Sequence, residues 1–85
     1  MTVQIPSKVK RQIKQFDRRI QQEVQLAIQS LSTDPRPSSC IKIENEINMW
    51  RIRTGEYRIA YHINQDKIEI VRAAHRSKFY ARKEL

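Results

Sequence analysis

This 85-residue chain has one cysteine, one glycine, three prolines and no long apolar run. Cys40 has no second cysteine to pair with, so no internal disulfide can staple the fold, and a reducing compartment suits it. His62, the nearest histidine in sequence, lies far along the chain, so Cys40 reads as a small, partly buried side chain and not as a nucleophile. Two histidines and one cysteine without ligand spacing argue against a metal site, and no cofactor is expected. No stretch approaches the roughly 18 apolar residues a membrane span requires, and no apolar signal segment follows Met1. A soluble, cytoplasmic protein without membrane contact is therefore expected. Acidic residues are also scarce: 17 Lys and Arg against nine Asp and Glu give a net charge of +8. The surplus sits at the two ends, since residues 34–66 hold five groups of each sign. Such a balance points to nucleic acid, an acidic protein or an anionic surface as partner.

A chain this short supports one domain, 1–85, with a single core and no more than two layers. Thr2-Val3-Gln4-Ile5 alternates briefly and is followed by Pro6, which suits a short strand leading into a helix. Val9, Ile13, Phe16, Ile20, Val24, Ala27, Ile28 and Leu31 then recur every three or four residues, a helical stripe. Asp17, a residue type favoured at N-caps, divides it into helices over about 6–16 and 18–32, packed as a hairpin; one long helix is the alternative. Lys8, Lys10, Arg11, Lys14, Arg18 and Arg19 fall outside the stripe, either as a solvated face or as long-range help in holding a polyanion. Pro35 and Pro37 mark a loop, after which the period changes to that of strands, at 40–44, 48–54, 57–63 and 67–74. The charged end, Ser77 to Leu85, reads as a short helical tail, a final turn, or else as a frayed end. The fold class is α+β, a helical hairpin on a mainly antiparallel sheet.

The only glycine lies inside Met49-Trp50-Arg51-Ile52-Arg53-Thr54-Gly55-Glu56-Tyr57-Arg58-Ile59-Ala60-Tyr61, which alternates apolar and polar on both sides of it. With Gly55-Glu56 as a two-residue loop, Arg53 faces Arg58, Ile52 faces Ile59 and Trp50 faces Tyr61. Arg51, Arg53 and Arg58 then share one face and the apolar residues the other. Like charges directly opposite each other destabilise a sheet, so a cluster that is kept suggests a polyanion, whose phosphates match the planar fork of guanidinium donors. Solvated arginines on an open sheet face are the plainer account; the density of the cluster and the basic remainder favour phosphate.

The last strand runs into His75, Arg76 and Tyr80. Pairing of 67–74 with 57–63 around the turn at residue 65 brings these residues beside the arginine cluster, with two groups able to move protons near fixed cations. Cleavage of RNA at its own 2′-hydroxyl needs those parts: a base, a stabilised phosphorane and an acid for the leaving 5′-oxygen. Histidine suits either proton transfer, and cations around a tyrosine favour its phenolate. Singly, His75 and Tyr80 are more often structural than catalytic, and only together with the arginines do they favour a site; His62 falls on the Arg58 face, but a cross-strand partner of Glu69 is its simpler account.

Trp50-Arg51-Ile52-Arg53, Gly55-Glu56-Tyr57-Arg58-Ile59-Ala60-Tyr61 and the terminal His75-Arg76 and Tyr80 resemble the RelE/ParE superfamily of toxin–antitoxin toxins. The resemblance implies a helical hairpin on a sheet and, for the RelE branch, cleavage of mRNA in the ribosomal A site by 2′-hydroxyl attack. It makes Arg58 the transition-state arginine, Tyr80 the catalytic tyrosine, His75 a further catalytic candidate, and Arg51, Arg53 and Arg76 substrate-binding. Arg51 and Arg53 stand where the best-known RelE toxin has lysines, which makes them binders and leaves proton transfer to His75 and Tyr80. The implied partners are mRNA, the ribosome and an acidic cognate antitoxin in a hetero-oligomer. The alternative within the superfamily is a ParE-like inhibitor of DNA gyrase without nuclease activity; a plain nucleic-acid-binding module is a third possibility.

Overall fold

The computed structural model describes residues 1–79. Five strands and three helices follow in the order β1 (Thr2–Gln4), α1 (Ser7–Lys14), α2 (Arg18–Ser30), β2 (Ile41–Lys42), β3 (Met49–Thr54), β4 (Tyr57–Asn64), β5 (Lys67–His75) and α3 (Arg76–Phe79). The sheet order is β1-β5-β4-β3-β2, with β1 parallel to β5 and the other pairs antiparallel. No described helix is long and apolar enough to cross a membrane.

The apolar stripe does break at Asp17, so there are two helices. The Asp17 side chain makes no capping bond. Gln21 ties the turn instead, its Nε2 donating to the Phe16 carbonyl at 2.8 Å. Val9, Ile13, Val24, Ile28 and Leu31 pack on one face of the sheet against Ile52, Ile59, Tyr61, Ile63, Ile68, Ile70 and Ala73. Trp50, Tyr57 and Cys40 border that core, half-buried.

The β3–β4 register is the one the alternation predicts: Trp50 opposite Tyr61, Ile52 opposite Ile59, Arg53 opposite Arg58. Gly55 has φ of +60°, and Glu56 is not among the positive-φ residues, a combination that fits a type II′ turn with glycine first.

One irregularity alters the faces of β5. From Asn64↔Lys67 to Tyr61↔Ile70 the pairing with β4 is regular; the next pair is Ala60↔Arg72, so Val71 is an extra residue on β5. A one-residue offset moves every later side chain to the other face. Beyond the bulge, Arg72 and Ala74 join the face of Arg58, and Ala73 and His75 join the face of Ile59 and Tyr57.

β1 pairs only with residues 67–69, so the later half of β5 has no strand on its outer side. There α1 covers it, and the Gln12 side-chain oxygen accepts from the Ala73 backbone N–H at 3.0 Å. The edge of the sheet is thereby partly satisfied without another strand.

The long loop is fastened from inside, as the fully buried Tyr61 donates its hydroxyl to the Pro35 carbonyl at 2.7 Å. Burial first, then the Cys40 and Asp34 side chains, raise the Tyr61 pKa above its ordinary value. A proton held more tightly in the folded chain gives stability that is whole below the unfolded value near pH 10 and falls as pH rises above it. Tyr61→Phe is expected to lower stability by about 1 kcal/mol at neutral pH. It should also flatten the decline of stability above about pH 10. Urea unfolding at neutral and alkaline pH checks both, and equal alkaline slopes in the two proteins would contradict the account.

Candidate active site

The sheet face turned away from α1 and α2 carries Arg51, Arg53 and Arg58 together, with Arg72 added by the bulge. Within a two-residue hairpin the Arg53–Arg58 pair is of the non-hydrogen-bonded kind, with Cα atoms about 4.5 Å apart. Arg53 is exposed and Arg51 half-buried, whereas Arg58 is only 8% exposed. Its Nη1 donates to the Gly55 carbonyl at 3.1 Å and to the Tyr57 carbonyl at 3.3 Å. The hairpin turn thus holds the guanidinium in a set orientation. A preoriented donor costs no reorganisation when charge builds on a substrate oxygen.

α3 closes one side of this face. Phe79, 2% exposed, lies under the Arg72 guanidinium, whose carbon is 5.8 Å from the ring centroid. Arg72 Nη2 also donates to the Lys78 carbonyl at 2.9 Å. Phe79, Ala60 and Met49 are buried yet stand apart from the helix-side core. A small apolar floor therefore lies beside the cations. A low-dielectric surround strengthens their pull on an anion relative to open water.

Arg76 is drawn to the rim. Its Nε donates to Glu56 Oε1 at 2.8 Å, and its backbone N–H to the Glu56 carbonyl, also at 2.8 Å. That exposed ion pair ties α3 to the tip of the arginine hairpin. His62 stands opposite Glu69, as expected.

His75 is not on this face. It pairs with Tyr57, and its ring meets the Tyr57 ring edge-on at 5.3 Å, while Tyr57 lies 4.6 Å from Phe16 of the helical layer. The expectation that His75 shares one spot with Arg58 is corrected by the bulge at Val71, which sends it to the opposite side of the sheet. The Ser77 backbone N–H donates to His75 Nδ1 at 3.1 Å, so the neutral ring carries its proton on Nε2. Tyr80 lies outside the described residues. Among those residues no three of His, Cys, Asp and Glu gather as metal ligands.

Arg72 and Phe79 are the members that reasoning from sequence missed. Arg72 lies in an otherwise regular strand pattern, and nothing short of the bulge assigns it to this face.

Because Arg53 faces Arg58 directly, the cluster should cost stability when nothing is bound. Arg53→Glu, which places a carboxylate opposite Arg58, is expected to stabilise the chain by about 0.5 kcal/mol. Urea unfolding of the two proteins checks this, and a loss of stability would contradict it.

The sequence profile of the family described as the ParE toxin of type II toxin–antitoxin systems, parDE, matches residues 3–80. No curated protein matches the chain significantly by sequence. Among solved structures, the chain resembles the RelB–RelE antitoxin–toxin complex of Methanococcus jannaschii at 25% identity, with a TM-score of 0.76 over 91% of this chain and 94% of that one. The archaeal RelE–RelB complex of Pyrococcus horikoshii gives 23% identity and a TM-score of 0.78 over 91% and 96% of the two chains. The isolated RelE toxin of E. coli gives 12% and 0.75 over 94% and 90%. The latter two likenesses establish the fold, a short strand and helical hairpin on a five-stranded sheet with a short helix after it. With the profile spanning almost the whole chain, the protein belongs to the ParE toxin family of type II toxin–antitoxin systems, within the RelE/ParE superfamily.

Proposed function

We propose that the chain is the endoribonuclease toxin of its system, cleaving mRNA on the ribosome, in the A site, and restrained by an acidic cognate antitoxin in a hetero-oligomer. The observation that carries this is the cationic sheet face: Arg51, Arg53 and Arg72 around a buried Arg58 whose guanidinium is oriented by the turn. The RelE complexes with RelB support a protein partner, and a surface of this sign calls for carboxylates on it.

In the proposed reaction the ribose 2′-hydroxyl gives up its proton and its oxygen bonds to the adjacent phosphorus. The bond from phosphorus to the 5′-oxygen then breaks, and that oxygen takes a proton, leaving a 2′,3′-cyclic phosphate. Arg51 and Arg53 hold the phosphate, with Arg76 at the rim. Arg58 stabilises the doubly charged phosphorane, a task for which a fixed, partly desolvated guanidinium is suited. Tyr80 is assigned a proton transfer on the strength of the family resemblance alone. His75, on the other side of the sheet, is left out of these steps.

The family profile carries the ParE name, which favours a second reading, a gyrase inhibitor that cuts no RNA. The two readings part on Arg58 and Tyr80. In a translating extract, Arg58→Ala is expected to lower mRNA cleavage by about a hundredfold or more. Tyr80→Phe should lower it strongly too, and both variants should lose toxicity in cells. Arg58→Lys, with the charge kept but the fork lost, should fall between. Growth arrest that survives Arg58→Ala and Tyr80→Phe, in variants that melt like the parent, would favour the gyrase reading.

A further inference from the structure

A second cationic feature lies round the edge of the sheet from the arginine face. Where β5 has no strand beside it, a groove of about 580 Å³ runs between the strand and α1, within the size range of ligand clefts. Lys8 and Arg11 from α1 and Lys78 from α3 stand exposed along it. Its floor is aromatic: Phe16, Tyr57 and His75 form a chain of ring contacts, and all three are half-buried. Arg72 lines the groove and belongs to the arginine face as well.

We infer that this groove binds a nucleotide of the same RNA strand, next to the one held for cleavage. The strand passes over the edge of β5 at Arg72, places a phosphate among Lys8, Arg11 and Lys78, and lays a base against the Tyr57 and His75 rings. Bases splayed from a single strand stack on aromatic and histidine rings, and backbone phosphates take the surrounding cations. With Nδ1 engaged by Ser77, His75 presents Nε2–H as a donor toward a base edge or phosphate oxygen. The bulge thereby gives His75 a binding role in place of the proton transfer expected of it. The inference rests on the RNA-cleaving reading and extends its substrate to a strand longer than the cut linkage.

The test uses the full chain and a fluorescein-labelled ten-nucleotide single-stranded RNA, 2′-O-methylated throughout so that it cannot be cut. Lys8→Glu/Arg11→Glu is expected to weaken binding at least about tenfold and to reduce the slope of log affinity against log salt by about 0.7, for the one phosphate held there. Arg51→Ala/Arg53→Ala serves as the comparison. As a second measurement that needs no variant, 4-thiouridine in the oligonucleotide should crosslink the parent protein at peptides containing Tyr57 or His75. Unchanged affinity and slope in Lys8→Glu/Arg11→Glu, or crosslinks confined to the arginine face, would overturn the inference. So would a variant that keeps its RNA affinity while losing affinity for the antitoxin, which would give the groove to a protein. Because the probe is uncleavable, a chain that binds through the groove but cuts no message refutes only the nuclease reading.

Discussion

Two arginines held opposite each other across a tight hairpin are the constraint around which the molecule is arranged. The Gly55-Glu56 turn sets the register, and the same register places Ile52, Ile59, Trp50 and Tyr61 toward the helices. One alternation of residues thus builds the core on one side and the cationic surface on the other, so neither can slip without the other. The repulsion between Arg53 and Arg58 is small beside the burial that fixes the register, each fully buried Ile or Tyr contributing about 2 kcal/mol. The fold can therefore keep two like charges opposite each other.

The extra residue at Val71 has as large an effect as the turn. It exchanges the faces of the last four residues of β5, bringing Arg72 over the apolar floor of Phe79 and carrying His75 toward α1. α3 is then fastened from two sides, by Arg72 to the Lys78 carbonyl and by Arg76 to Glu56. The cationic face and the edge groove meet at Arg72 and Ala74, which belong to both.

Most of the fold was legible in the chain, because its signals are periodic. The stripe from Val9 to Leu31 gave the helices, and the alternation about Gly55 gave a register that matches pair for pair. Asp17 marked the break between helices, although Gln21 supplies the hydrogen bonds there. A bulge has no comparable signal: Val71 is an ordinary strand residue in an ordinary strand, and its extra place shows only when both ends of the pairing are fixed. Regular counting from the turn at residue 65 assigns His75 to the Arg58 side and Arg72 to the core, which is why the arginine cluster was read from sequence and its neighbours were not. Tyr80 falls outside the described residues, so its part rests on resemblance alone.

Membership of a toxin family fixes neither target, since one fold in this superfamily serves different activities. The chemistry of the sheet face supports the proposed nuclease: oriented guanidinium groups suit a phosphate that gains charge as a neighbouring hydroxyl attacks it. The most direct test replaces that hydroxyl. A message translated in extract, carrying a single 2′-deoxy residue at a mapped cut position, should resist cleavage there while neighbouring positions are still cut. Undiminished cleavage at the deoxy position would contradict the account, because no attack by that sugar would then be needed.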